Sequence, residues 1–122
     1  MAHILLVDDD EAFRHMLRRT LERAGHRVTE ANDGAAALHV VAHDATIDLV
    51  ITDIIMPNRE GIETIRALRH DYPQVKIIAM SGGGRIRPEG YLDVAKAFGA
   101  VRVLSKPFDN HELFAAIKEA LG

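Results

Sequence analysis

The stretch Ile47-Asp48-Leu49-Val50-Ile51-Thr52-Asp53 decides the fold of this chain. Leu49 to Ile51 are apolar without interruption and partly β-branched, which predicts a strand buried on both faces of a parallel sheet. The strand ends in a carboxylate at Asp53, and Pro57 stops regular structure soon after it. In open α/β sheets, ligands bind beyond the carboxyl ends of the strands. Asp53 therefore lies where a functional site is expected, although a lone acid there also fits a helix cap or a loop.

A second apolar run, His3-Ile4-Leu5-Leu6-Val7, ends in the acids Asp8-Asp9-Asp10-Glu11. One of these acids is expected to cap the helix that follows. If the two strands are parallel neighbours, Asp8, Asp9 and Asp53 converge at one edge of the sheet. Two carboxylates about 4 Å apart repel by roughly 4 kcal/mol at an effective dielectric of about 20, and a cation relieves that repulsion. A small all-oxygen set beside solvent suits Mg²⁺, which keeps several waters and shares sites with phosphate.

Strands and helices alternate along the whole chain. The predicted strands are 3–7, 27–31, the run ending at Asp53, 75–80 and 100–104; the predicted helices are 11–24, a segment opened by the Asn32-Asp33-Gly34 turn, 60–70, about 92–98, and a last helix begun by Asp109-x-x-Glu112. This alternation predicts an α/β fold, a doubly wound five-stranded parallel sheet flanked by five helices. Because the last helix uses up the C-terminus and no linker is visible, we expect one domain over residues 1–122.

Composition excludes several classes of function. The chain has no cysteine, which excludes disulfides, thiol catalysis and cysteine–zinc sites and fits a reducing compartment. The formal net charge of −3 does not favour direct binding to nucleic acid. No apolar run reaches transmembrane length and the N-terminus lacks a signal-peptide pattern. We therefore expect a cytoplasmic protein without membrane insertion.

Five functional groups follow the predicted strands, namely Asp8, Asp9, Asp53, Ser81 and Lys106. The acids can hold a divalent cation, and one of them can act as a nucleophile. A bound cation neutralises a phosphoryl group during transfer, which is most of what phosphoryl transfer requires. The lysine offers a point charge to phosphate oxygens, and the serine offers a hydroxyl. The set predicts phosphoryl chemistry at the sheet edge.

Four motifs in order, each at the end of a predicted strand, make the chain resemble a known family over its whole length. They are Leu6-Val7-Asp8-Asp9-Asp10, Asp53-Ile54-Ile55-Met56-Pro57 followed by Gly61, Ser81, and Lys106-Pro107-Phe108. The family is the CheY-like response-regulator receiver domain of two-component signalling. The resemblance implies a flavodoxin-like sheet with strand order 2-1-3-4-5.

The resemblance also implies roles for individual residues. Asp53 would accept a phosphoryl group from the phosphohistidine of a histidine kinase or phosphotransfer protein, and the domain would catalyse only its own phosphorylation and dephosphorylation. Lys106 would bind the phosphoryl group, and Ser81 would be the switch hydroxyl. Mg²⁺ would be held by Asp8, Asp9, Asp53 and the backbone carbonyl of Ile55.

Two departures from the family concern how the signal is read out. Many receivers have an aromatic residue three positions before the lysine, where this chain has Val103. The segment 82–91 looks longer than is common and begins with three glycines, whose backbone is weakly restrained. We therefore expect phosphorylation to reorder 82–91, with Tyr91 or the arginines facing a downstream protein partner, although Tyr91 also fits a packed residue at the start of the next helix.

Other patterns are interpreted as structural. His39 and His43 lie one helical turn apart but have no third ligand nearby in sequence, so we expect them to face solvent. Gly82-Gly83-Gly84 lacks the Lys-Ser/Thr ending of a nucleotide-binding P-loop. The arginines of the first helix, among them Arg14 and Arg18, are interpreted as a solvated face, with docking to an acidic partner left open.

Three functions compete on the sequence alone. The first is a stand-alone receiver that signals by phosphorylation-dependent protein binding or by relay. The second is the regulatory domain of a larger regulator, for example one that binds DNA. The third is an aspartyl-phosphate phosphatase, which would need an acid two residues after the nucleophile; Ile55 stands there and argues against it.

Overall fold

Nine elements make up the described part of the chain, which in this computed structural model comprises residues 1–54, 60–81 and 99–122. The strands are β1 His3–Val7, β2 Arg27–Ala31, β3 Leu49–Asp53, β4 Lys76–Ser81 and β5 Arg102–Ser105. The helices are α1 Glu11–Arg23, α2 Gly34–His43, α3 Glu60–Asp71 and α4 Asn110–Leu121. The helix predicted over 92–98 lies outside the described residues, so four helices are described where five were predicted.

All five strands are parallel and lie in one sheet in the order β2-β1-β3-β4-β5. This confirms both the predicted doubly wound sheet and the strand order implied by the family resemblance. The boundaries of the last two strands differ from prediction. β4 extends to Ser81, and β5 begins at Arg102 because the first ladder pair with β4 is Ile78 with Arg102. Ala100 and Val101 are apolar, but they precede that pairing.

The two faces of the sheet bury separate apolar cores, because successive residues of a strand point to opposite sides. Along β1, Ile4 and Leu6 join the core beneath α1 and α4. Leu5 and Val7 join the core beneath α2 and α3. β3 divides in the same way and is buried at every position. The continuous apolar run of β3 is thus the consequence of having helices on both faces.

Side-chain caps fix where three helices begin, each beside a strand end. The N-cap carboxylates of Asp10, Asp33 and Asp109 accept hydrogen bonds from the backbone N–H groups three residues later. α1 ends in a Schellman turn in which Gly25 has φ of 95° and His26 N donates to Leu21 O. None of the helices that the structure describes is long and apolar enough to cross a membrane.

Candidate functional site

Parallel pairing of β1 with β3 brings two acids side by side at the carboxyl edge of the sheet. Val7 pairs with Thr52, so the next positions on the two strands are Asp8 and Asp53. Both acids continue the rows of side chains that face α1 and α4, and both are buried, with 1% and 6% of their surface exposed. Acids this buried need compensating charge or hydrogen bonds.

Lys106 supplies part of that compensation. Ser81 and Ser105 form the last pair of β4 with β5, and Lys106 N donates to Ser81 O at 2.8 Å, which holds the lysine at the same edge. Its ammonium donates to Asp8 Oδ2 at 2.7 Å and to Asp53 Oδ2 at 3.0 Å. The Lys106–Pro107 peptide bond is cis. The lysine therefore bridges two acids on neighbouring strands.

The ammonium of Lys106 is also held from its apolar side. Nζ lies 4.3 Å from the centre of the Phe13 ring, a cation–π contact, and Phe13 packs edge-on against Phe108 at 6.1 Å. Burial would lower the pKa of the Lys106 ammonium, but the hydrogen bonds to Asp8 and Asp53 outweigh it and raise that pKa. The group stays charged throughout the physiological range.

Asp9 completes an acidic cluster. One carboxylate oxygen from each of Asp8, Asp9 and Asp53 lies within 4.8 Å of the others, and Asp9 is exposed while its two neighbours are buried. Three carboxylates against the single ammonium of Lys106 leave a formal excess of two negative charges. An all-oxygen cluster of that charge, open to solvent on one side, fits a hard dication such as Mg²⁺.

Ser81 is the last residue of β4 and lies at this edge of the sheet. The residue is 1% exposed, and its Oγ has no hydrogen-bond partner among the residues that the structure describes. An unsatisfied buried hydroxyl costs roughly 1–3 kcal/mol and is uncommon in native proteins. It fits a group that acquires its partner only when a ligand or a modification adds acceptor oxygens nearby.

Arg14 and Glu30 also belong to the candidate site, although neither was predicted there from the sequence. The sequence interpretation placed Arg14 on a solvated helix face, but its side chain is only 11% exposed. Nε donates to Glu30 Oε1 at 2.8 Å, and Nη1 donates to the backbone carbonyl of Asp8 at 2.6 Å. One signal was available: helix side chains lean toward the N-terminus, so a residue in the first turn of α1 points back at the acids.

Some of the other predicted features lie within the described residues and some lie outside them. His39 and His43 are exposed as expected, with their ring centroids 4.2 Å apart and their planes tilted by 32°. Val103 is half-buried against the core beneath α2 and α3. Ile55, whose carbonyl was predicted as a metal ligand, and the segment 82–91 lie outside the described residues.

Sequence comparison identifies the family to which this geometry belongs. A model of the response regulator receiver domain matches residues 4–118. The chain belongs to the response regulator receiver domain family. Like other members of this family, this receiver domain functions in two-component signal transduction, where histidine kinases phosphorylate receiver domains.

Individual relatives cover the chain almost completely. The transcriptional regulatory protein CpxR of Escherichia coli K12 is 37% identical over 121 residues, which is 99% of this chain and 50% of that protein. The response regulator receiver protein CpdR of Brucella abortus is 34% identical over 99% of this chain and 98% of its own length. The chain thus spans about half the length of the first curated relatives and nearly all of CpdR.

A solved structure supports the comparison of the acidic cluster. The response regulator protein TrrA of Thermotoga maritima, in complex with Mg²⁺ and BeF, has a TM-score of 0.83 and 30% sequence identity, covering 99% of this chain and 100% of that one. Receiver domains bind Mg²⁺ at their acidic pocket, and a cluster of aspartates is present here.

Proposed function

We propose that this receiver domain accepts a phosphoryl group on Asp53 from a histidine kinase or a histidine phosphotransfer protein. The observation that carries the proposal is the position of Asp53, bonded to Lys106 and within 4.8 Å of the carboxylates of Asp8 and Asp9. A nucleophilic acid, a fixed cation and a metal-binding cluster are the parts that phosphoryl transfer needs.

Mg²⁺ is the proposed cofactor. Asp8, Asp9 and Asp53 would hold it, with the backbone carbonyl of Ile55 as a further ligand predicted from the family. When bound, Mg²⁺ supplies positive charge that stabilises the oxygens of the transferring phosphoryl group. The excess negative charge of the cluster supports this assignment, because a dication would neutralise it.

The proposed transfer is a displacement at phosphorus. A carboxylate oxygen of Asp53 forms the new O–P bond while the P–N bond of the donor phosphohistidine breaks, and the imidazole keeps that electron pair and takes up a proton. The product is an acyl phosphate. Lys106 bonds Asp53 before transfer and then offers its ammonium to a phosphoryl oxygen. Attack by water on phosphorus later breaks the O–P bond, releases inorganic phosphate and returns Asp53 to a carboxylate. In both steps the domain acts only on its own aspartate.

The Ser81 hydroxyl, which is buried and has no hydrogen-bond partner among the described residues, supports a role as the switch. A phosphoryl group on Asp53 adds charge and acceptor oxygens at this edge, and Ser81 Oγ–H donates to one of them. Val103 is too small to act as the aromatic reporter found in many receivers. We therefore propose that the segment 82–91 transmits the effect of phosphorylation to a downstream protein. Hydrogen exchange with and without beryllofluoride tests this: changes in protection confined to β5 and α4 would refute it.

The stand-alone receiver is the proposed biological form, a single domain over residues 1–122 in the cytoplasm, and the likeness to CpdR along both full lengths supports it. The likeness to CpxR supports the alternative, a regulatory domain of a longer DNA-binding regulator. Direct contact of this domain with nucleic acid is not favoured by its net charge of −3. Immunoblotting of the native protein distinguishes the two forms, since a species of about twice the mass of this chain supports the longer regulator.

The decisive experiment for the acceptor is intact mass spectrometry after incubation with acetyl phosphate and Mg²⁺. The wild-type protein should gain one phosphoryl group, and the gain should disappear in Asp53→Asn and on adding a chelator. Asp10→Asn is the matched control, since it removes a neighbouring acid whose carboxylate caps α1 and should leave labelling intact. Undiminished labelling of Asp53→Asn would place the acceptor elsewhere.

A further inference from the structure

We propose that Arg14, held in place by Glu30, is a positioning residue that fixes the peptide joining Asp8 to Asp9 and thereby aims Asp9 at the metal. This inference rests on the proposed function, because it concerns the metal site proposed above. Arg14 does not touch the metal or the phosphoryl group in this scheme. It acts through the backbone that carries the ligands.

The geometry of the Arg14 guanidinium carries the proposal. Two of its nitrogens make separate bonds, Nε to Glu30 Oε1 at 2.8 Å and Nη1 to the carbonyl of Asp8 at 2.6 Å. Glu30 lies within β2, paired with Leu6 of β1, so its backbone is fixed by the sheet. The rigid planar fork of an arginine holds these two bonds in a fixed relative geometry, which the rotating ammonium of a lysine would not impose.

The carbonyl of Asp8 needs such a partner because strand pairing ends there. Val7 and Ala31 form the last pair of β1 with β2, and Asp8 N still donates to Ala31 O at 3.3 Å. Asp8 Oδ1 accepts from Asp10 N, and Oδ2 accepts from Lys106. The bond from Arg14 therefore fixes the one remaining polar group of Asp8.

Asp9 depends on this restraint more than its neighbours do. Its side chain is exposed, while Asp8 and Asp53 are buried and bonded to Lys106. The preceding peptide, whose oxygen Arg14 holds, sets the point from which the Asp9 side chain extends toward the cluster. Outer partners of this kind commonly change metal affinity when they are removed.

Charge and positioning predict opposite effects of removing Arg14. A guanidinium beside a cation site repels the cation, so by charge alone Arg14→Met should tighten Mg²⁺ binding. If Arg14 positions Asp9, the same variant should weaken binding by about 10-fold. The sign of the change therefore decides between the two effects.

The first experiment compares Arg14→Met with Arg18→Met in Mg²⁺ titrations followed by amide chemical shifts. Arg18 lies one turn further along α1 and also bonds Glu30, at 3.0 Å, but its other contact is Glu22. We expect weaker Mg²⁺ binding in Arg14→Met and nearly wild-type binding in Arg18→Met. Unchanged or tighter binding in Arg14→Met, or an equal loss in Arg18→Met, overturns the proposal.

A second pair of variants tests the anchor. Glu30→Gln and Glu30→Met remove the same negative charge, but only glutamine keeps a carbonyl oxygen that can accept from Arg14 Nε. We expect Glu30→Gln to retain the Mg²⁺ affinity and Glu30→Met to lose part of it. Equal affinities in the two variants would show that Glu30 acts through charge or not at all.

Two further measurements distinguish a loss of positioning from a loss of folding and from a failure of the proposed function. In Arg14→Met, Glu30 still has Arg18, so a folded amide spectrum is expected, and titrations use only samples that show one. Acetyl phosphate labelling of Arg14→Met should need more Mg²⁺ for half-maximal rate yet approach the wild-type rate at saturation. A depressed saturating rate overturns the positioning role, whereas labelling that survives in Asp53→Asn overturns the proposed acceptor and leaves the Mg²⁺ comparison standing.

Discussion

At the scale of single residues, Lys106 links two parts of the sheet, because its ammonium bonds acids at the ends of two strands. Lys106→Met should lower the metal-free free energy of unfolding by about 1–3 kcal/mol, since Asp8 and Asp53 would keep buried charges with fewer partners. The same variant should bind Mg²⁺ more tightly, because the ammonium no longer opposes the dication. Urea unfolding with chelator, combined with Mg²⁺ titration, measures both effects.

Lys118→Met is the control for that variant, since Lys118 is exposed on α4 and its removal changes the net charge equally. It should leave both quantities nearly unchanged. If Lys106→Met bound Mg²⁺ no better than Lys118→Met, the argument that the Lys106 ammonium opposes the dication would be wrong.

The acids of the cluster should differ in what they contribute to stability. Asp8→Asn weakens a buried, charge-assisted bond to Lys106 and should cost about 1 kcal/mol without metal. Asp9→Asn alters an exposed residue and should stay within about 0.5 kcal/mol of wild type. Both variants should lower Mg²⁺ affinity. Chemical denaturation in chelator gives the first comparison, and equal losses of stability in the two variants would contradict it.

At the scale of elements, Asp10 has a structural role in α1, unlike the neighbouring acids of the proposed site. Its carboxylate accepts from Phe13 N and caps α1, the helix that also carries Phe13 and Arg14. Asp10→Ala should therefore reduce the free energy of unfolding by about 1 kcal/mol, while Asp10→Ser, which can still cap, should recover most of it. Thermal unfolding of the pair is the measurement, and an alanine variant as stable as the serine variant would exclude the cap as the cause.

The contact between α1 and β2 should make stability depend on pH through Glu30. Burial would raise the pKa of Glu30, but hydrogen bonds from Arg18 and Arg14 outweigh it and lower that pKa, and His15 also faces the group at 3.4 Å. The stabilisation is therefore present above the ordinary glutamate pKa of about 4.3 and is lost as pH falls through the lower folded value.

Urea unfolding of wild type and Glu30→Gln from pH 7 to pH 2.5 tests this dependence. The wild type should be the more stable protein at neutral pH, and the difference should shrink as Glu30 takes up its proton in the folded state. A difference that stays constant across the acid range would show that the charge on Glu30 does not stabilise the fold.

At the scale of the whole molecule, metal binding should be visible as stability, because the proposed ligands lie at the ends of β1 and β3 and converge only in the folded chain. A ligand that binds only the folded state at ten times its Kd stabilises it by about 1.4 kcal/mol. Mg²⁺ should raise the melting temperature, and a chelator should reverse the rise. The increment should fall in Asp9→Asn, and an undiminished increment there would place the metal elsewhere.

The sequence by itself determined the elements of this fold and the strand ends that carry its chemistry. The apolar run of β3 could be recognised because a strand buried on both faces has a continuous apolar sequence. The acids after β1 could be recognised because they directly follow such a run. The motif order then gave the family, and the family gave the strand order. Short apolar runs look alike, so periodicity alone does not state which strands are neighbours.

Only the tertiary structure decided the contacts that make a site from those strand ends. Lys106 and Asp8 are 98 residues apart, and their bond depends on the register of three neighbouring strand pairs. Arg14 appears as one of several surface arginines in the sequence, yet packing of α1 against β2 turns it toward Glu30 and the Asp8 carbonyl. The sequence likewise does not show that the buried Ser81 hydroxyl lacks a hydrogen-bond partner within residues 1–54, 60–81 and 99–122. Local patterns report which residues are buried, whereas the partner of each buried polar group is set by long-range geometry.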